Sequence, residues 1–296
     1  MAPLIATDRR ANLIGSLWMV AAMAGFAIED ALLKASHSTL PIGQIMLFFG
    51  LGGTCVFGGL ALTRNEPLFT RDVISRLMCI RAVFEVFGRL FYVLAITLTP
   101  LSSATVILQA TPIVVVAGAA LVFGEQVGWR RWAAILIGLA GVVVIIQPGA
   151  ESFSALSIFA VLGMLGFAGR DLASRAAPST LGTAVLGFYG FLSIILAGVI
   201  YSIWEGAPLV LPDAPTTLIL SGAVLAGVLG YSSLMNAMRT GEVSAVTPFR
   251  YTRLLFGIGL GVFVFAEQLS GAMLLGCGLI VLSGLFILWR GQQDAT

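Results

Sequence analysis

The chain is short of charge. Of its 296 residues only 10% are Asp, Glu, Lys or Arg, whereas 58% are hydrophobic, and the mean hydropathy is +1.02. A water-soluble domain carries roughly 25% charged residues. A chain with less than half of that cannot cover a water-facing surface, so its outer face must meet the lipid bilayer. Histidine is almost missing: His37 stands alone, which argues strongly against a His-based metal centre and a Ser-His-Asp arrangement. The three cysteines, Cys55, Cys79 and Cys277, lie in apolar stretches without CxxC spacing. They read as small packing residues, not as disulfides or metal ligands. No GxxxxGK[ST] loop occurs, so ATP is not expected to drive the protein directly. The net charge of +2 is scattered and argues against nucleic acid. No metal, no cofactor and no catalytic residue is expected.

What the chain has in abundance is apolar length. A membrane-crossing helix needs about 20 mostly apolar residues. Windows of that size predict ten spans, near 12–33, 42–63, 76–97, 100–123, 132–147, 154–173, 182–204, 215–238, 244–265 and 270–289. If the N-terminus is cytoplasmic, eleven arginines fall on the cytoplasmic side: Arg9, Arg10, Arg64, Arg71, Arg76, Arg130, Arg131, Arg170, Arg175, Arg239 and Arg290. Only Lys34 falls on the other. By the positive-inside rule both termini are therefore expected in the cytoplasm.

The halves repeat each other. Gly25-Phe26-Ala27 and Asp30 match Gly166-Phe167-Ala168 and Asp171 at an offset of 141; Glu125-Gln126-Val127 matches Glu267-Gln268-Leu269 at 142. Five spans per copy force the second copy to enter the membrane upside down. Inverted repeats are the mark of secondary transporters, with a midplane site exposed to either side in turn. The expected layout is a cytoplasmic head at 1–11, a first repeat at 12–148, a second at 149–290 and a cytoplasmic tail at 291–296.

The run from Phe91 to Ala104, with Pro112, Phe123-Gly124-Glu125, Gly138, Gly141 and Pro148, resembles the EamA domain. That domain is the repeat unit of the drug/metabolite transporter superfamily. Asn236-Ala237-Met238, Ser244-Ala245-Val246, Phe265-Ala266-Glu267 and Gly284 resemble its second copy. The resemblance implies an all-α membrane protein of ten helices in two inverted five-helix repeats. It is nearest in look to bacterial exporters of amino acids, aromatic ones included. The second copy departs from the first: Pro112 has no partner at the matching offset, and the ninth span has Pro248 earlier.

Charges inside a bilayer cost roughly 2.5–3.5 kcal/mol each by insertion scales, so those present need partners or water. Arg81, Glu85, Arg89 and Tyr92 share one face of the third span, the first three spaced by four. Arg81 is expected to snorkel to the cytoplasm. Glu85 and Arg89 read either as a self-neutralising ladder or as a cavity wall. Arg250, Tyr251 and Arg253 lie on the ninth span with no carboxylate nearby, so their partners must come from another helix, water or a solute carboxylate. In the first span Asp30 and Lys34 can pair at a spacing of four, as can Asp171 and Arg175. Glu29, without an acidic counterpart, is a gating or coupling candidate, together with Asp30 and Lys34. Gln109, Tyr231 and Asn236 complete the cavity candidates. The expected function is export of amino acids and similar metabolites by alternating access, with a small solute bearing a carboxylate. A carrier of lipophilic cations or of S-adenosylmethionine-like metabolites is the alternative. The chain is read as a monomer or a homodimer.

Overall fold

The computed structural model describes residues 9–123, 128–147, 154–175, 181–240 and 246–293. Among these residues there are eleven α-helices and no strand. They are α1 (Arg9–Ser36), α2 (Ile42–Thr63), α3 (Arg76–Leu98), α4 (Leu101–Leu108), α5 (Thr111–Phe123), α6 (Trp129–Ile146), α7 (Ser157–Arg175), α8 (Thr183–Glu205), α9 (Ala214–Thr240), α10 (Thr252–Phe265) and α11 (Gly271–Gln293). Helices α4 and α5 together make the fourth span. A 3-10 turn, Thr247–Tyr251, opens the ninth and runs into α10.

Large apolar side chains point outward, among them Leu62, Val83, Leu121, Leu211, Phe263 and Leu282, while Glu29, Asp30, Glu85 and Gln109 are buried. A soluble protein does not expose contiguous apolar surface on this scale. The inverted distribution fits a molecule whose solvent is lipid. Among the described residues, five helical stretches are long and apolar enough to cross a bilayer: Arg10–Ser36, Ile42–Thr63, Leu101–Val122, Thr183–Glu205 and Ala214–Met238. The third span falls short of that standard because every window of that length within it carries Arg81, Glu85 and Arg89.

The packing repeats as the sequence does. The first span lies chiefly against the eighth, and the third against the sixth. Exchanging the two copies turns the one contact into the other. The second span packs on the seventh, the fourth on the ninth and the fifth on the tenth, and each of these pairs maps onto itself. The close approaches obey the same exchange. A Cβ on Gly25 would stand 2.9 Å from Cα of Gly230, and one on Gly166 would meet Cα of Gly88. Residues 25 and 166 are 141 apart and 88 and 230 are 142 apart, so the two crossings are copies of one crossing. Small residues there let backbones touch, which is how membrane helices gain packing contact.

The fourth span is broken between α4 and α5, and the ninth opens on a 3-10 turn. Pro112 has no N–H for the carbonyl of Leu108, and its ring crowds that carbonyl. The helix ends at Leu108, and the Thr111 hydroxyl donates to Leu108 O at 2.5 Å instead. At the break, Gln109 Nε2 donates to the carbonyl of Arg250 at 2.8 Å. These residues are 141 apart, the repeat offset itself, so the bond sits at the pseudo-two-fold axis. Outside the spans, Asp213 accepts the Thr216 amide at 2.9 Å at the start of α9. Hydrogen bonds from Thr216, side chain and backbone, hold the Asp213 carboxyl below the ordinary carboxylate range.

Candidate functional site

Three polar layers cross the interior. The middle one gathers α1, α3 and α10. Glu29 and Asp30 are neighbours on α1, each about 1% exposed. Arg89 Nη1 of α3 donates to Glu29 Oε1 at 2.8 Å. Arg253 Nη2 of α10 donates to Asp30 Oδ2 at 2.6 Å, and the Tyr92 hydroxyl donates to the same oxygen at 2.9 Å. Arg253 Nη2 also lies 3.4 Å from the Tyr92 oxygen. The guanidinium of Arg89 lies over the ring of Phe167, and that of Arg253 over Phe26 and Tyr92. Two carboxylates thus face two guanidiniums. Their hydrogen bonding is incomplete: Glu29 Oε2, Asp30 Oδ1, Arg89 Nε and Arg253 Nε are buried without a hydrogen-bond partner among the described residues.

The second layer joins α3, α7 and α9. Arg170 Nη1 donates to Glu85 Oε1 at 3.3 Å, and Arg170 Nη2 to Asp171 Oδ1 at 2.8 Å. Arg81 reaches Glu85 at 3.8 Å. Tyr231 lies within electrostatic range of Arg81, Glu85 and Arg170, and its ring meets that of Phe57 edge-on.

The third layer closes the bundle end that carries the α3–α4 junction. Lys34 Nζ donates to the carbonyls of Ile96 and Thr99 at 3.0 and 2.6 Å, the C-terminal end of α3. It also lies 3.6 Å from Glu267. Glu267 accepts the amides of Leu101 and Ser102 at 2.6 and 3.0 Å and the Ser102 hydroxyl at 2.5 Å. An anion at a helix N-terminus satisfies donors that have no partner within the helix and meets the positive end of the dipole. Ala266, with φ of 52°, turns the chain so that Glu267 reaches that point.

Several sequence expectations change. Asp30 and Lys34 do not pair, although a spacing of four allows it. Asp30 is taken by Arg253 and Tyr92, and Lys34 by the carbonyls that end α3. Asp171 pairs with Arg170; the side chain of Arg175 lies outside the described residues. Arg81 is buried against Glu85 and does not snorkel. The ladder on α3 is only half intrahelical, because Glu85 also takes Arg170 and Arg89 takes Glu29. Tyr251 lies about 200° around the ninth span from Arg253. It packs on Gly284 of α11 and lines an apolar cavity of 380 Å³ with Leu254, Ile258, Cys277 and Val281. Arg250 is half-exposed and enters the interior through its carbonyl; Asn236 is exposed.

Sequence reasoning misses two residues. The loop-charge count puts Arg170 on the cytoplasmic side, yet it sits in the second layer. Its place one residue before the repeated Asp171, where the first copy has Glu29, was the available signal. In the sequence Glu267 stands out as a repeat marker and not as a helix cap. Its counterpart Glu125, with Gly124 to Val127, lies outside the described residues, as do Pro148, Ser244 and Ala245.

Comparison with known proteins agrees with this architecture. The chain is 26% identical over 286 residues to the pseudopaline exporter of Pseudomonas aeruginosa, covering 94% of this chain and 97% of that protein. It is 26% identical over 292 residues to the riboflavin transporter of Vibrio cholerae, covering 95% of each. It is 22% identical over 298 residues to the S-adenosylmethionine uptake transporter of Rickettsia prowazekii, again covering 95% of each. A solved crystal structure, 21% identical, shares the fold with a TM-score of 0.62 over 93% of this chain and 96% of that one. The EamA-like transporter family matches twice, over residues 13–147 and 155–289. With two family repeats covering nearly all of its ten spans, the chain is a multi-pass membrane transporter and belongs to the EamA-like transporter family.

Proposed function

We propose that the protein is a secondary transporter exporting amino acids, aromatic ones included, and related small metabolites by alternating access. The reading places it in the cell's inner membrane with both termini cytoplasmic and a repeat boundary near residue 148. One observation carries the substrate class. Arg89 and Arg253 converge from different spans on the layer lined by Tyr92, Phe26 and Phe167. A guanidinium in a low-dielectric site is a strong binder of carboxylate. The aromatic rings beside it offer apolar surface to the rest of the solute.

Lys34 and Glu267 lock one bundle end, which supports a cycle in which that lock opens and the other end closes. Glu85, Arg170 and Tyr231 lie along the path between the middle layer and the opposite end.

A second reading keeps the fold and changes the cargo to an S-adenosylmethionine-like metabolite or a lipophilic cation. The two buried carboxylates, Glu29 and Asp30, favour it, as does the relative named for S-adenosylmethionine uptake. A thermal-shift screen of the purified protein against amino acids, nucleosides and cationic drugs separates the two. Stabilisation by amino acids is expected. Stabilisation by cations alone would overturn the first reading in favour of the second.

A further inference from the structure

The middle layer is already occupied by the protein's own charges, and the manner of that occupation points to its ligand. Each carboxylate gives one oxygen to an arginine and keeps the other, Glu29 Oε2 and Asp30 Oδ1, buried without a hydrogen-bond partner among the described residues. Each arginine gives one terminal nitrogen and keeps its Nε equally unpartnered. The unmet capacity is therefore two acceptors and two donors within one cluster. A carboxylate alone would satisfy donors and leave acceptors unmet. An ammonium alone would do the reverse. A solute carrying both groups on one carbon answers both.

The eighth span approaches the acceptors closely at Gly227, where the Phe49 ring already lies 2.9 Å from the position of an added Cβ. A Cβ on Gly227 would stand 3.0 Å from Glu29 Oε2. Residue 227 is the repeat equivalent of Glu85, so this copy holds no side chain where the other holds a carboxylate. The charge balance agrees. Glu29 and Asp30 against Arg89 and Arg253 sum to zero, and a zwitterion keeps that sum at zero on entry.

We propose that Glu29 and Asp30 form an ammonium subsite opposite the carboxylate-binding arginines, so that the transporter recognises the whole head of an α-amino acid. This rests on the amino-acid reading above and assigns to Glu29 and Asp30 a direct part in binding. The solute's ammonium binds Glu29 Oε2 and Asp30 Oδ1, and its carboxylate competes with those side chains for Arg89 and Arg253.

The experiment compares three probes of one shape by thermal shift and titration on the purified protein: L-phenylalanine, 3-phenylpropionate and 2-phenylethylamine. The zwitterion is expected to bind at least tenfold more tightly than either single-charge analogue. In Glu29→Gln and Asp30→Asn, its advantage over 3-phenylpropionate is expected to shrink severalfold while 3-phenylpropionate itself still binds. If 3-phenylpropionate matches L-phenylalanine on the wild type, the ammonium subsite is wrong and the carboxylate reading stands. An advantage that persists in full in both variants also overturns the subsite. If no probe binds, the amino-acid reading falls and takes the subsite with it. The wild-type comparison decides even where a variant does not fold.

Discussion

Arg253 sits on a helix with no carboxylate of its own, yet its side chain is only 14% exposed. It is stable there because Asp30 and the Tyr92 hydroxyl meet it from two other spans. Removing one partner of a buried pair leaves an uncompensated charge and costs about 3–5 kcal/mol. Arg253→Ala is therefore expected to lower the thermal midpoint and abolish transport. The double variant Asp30→Asn with Arg253→Gln removes both charges and is expected to regain much of the stability while remaining inactive. Recovery of transport in the double variant would show that the pair serves folding alone. The need for a cross-helix partner was legible from the sequence, because nothing on the ninth span could neutralise its arginines. Which carboxylate would answer was not legible, since Asp30 and Lys34 also satisfied the local spacing rule. That choice is made in three dimensions, where the carbonyls of Ile96 and Thr99 that end α3 compete for Lys34.

At the scale of elements, the third layer joins a helix end to a helix start. Glu267 caps α4 while Lys34 caps α3, and the two also attract each other. A simple ion pair tolerates exchange of its charges. Here exchange would put an ammonium at the amides of Leu101 and Ser102 and a carboxylate at the carbonyls of Ile96 and Thr99. Lys34→Glu with Glu267→Lys is thus expected to fail in transport assays where Lys34→Arg largely succeeds. Rescue by exchange would reduce the contact to a plain salt bridge. The crossings give a second test. Gly25→Ala drives a methyl into Gly230 and is expected to destabilise by roughly 1–3 kcal/mol. Gly59 has nothing within 4 Å of an added Cβ, so Gly59→Ala is expected to be neutral or to stabilise by up to about 1 kcal/mol in thermal unfolding. The spans themselves were readable because a bilayer demands about 20 apolar residues in a row. The break at Gln109 was half visible in Pro112, but its bond to Arg250 follows from packing of the two copies.

For the molecule as a whole, the consequence of two inverted copies is a site between them whose charges cancel. The middle layer holds two anions and two cations, the second layer holds Glu85 and Asp171 against Arg81 and Arg170, and the third holds Lys34 with Glu267. Moving one net charge through 100 mV would bias the equilibrium by about 2.3 kcal/mol, roughly fiftyfold. A neutral site carrying a zwitterion escapes that bias, so amino-acid exchange is expected to be insensitive to an imposed potassium diffusion potential. The most direct test of the account is counterflow in proteoliposomes of the purified protein. Vesicles are preloaded with unlabelled L-phenylalanine and diluted into labelled L-phenylalanine. The expected result is transient accumulation of label with wild type and Gly59→Ala, and none with Arg253→Ala. Equal labelling of wild-type, Arg253→Ala and protein-free vesicles would contradict it.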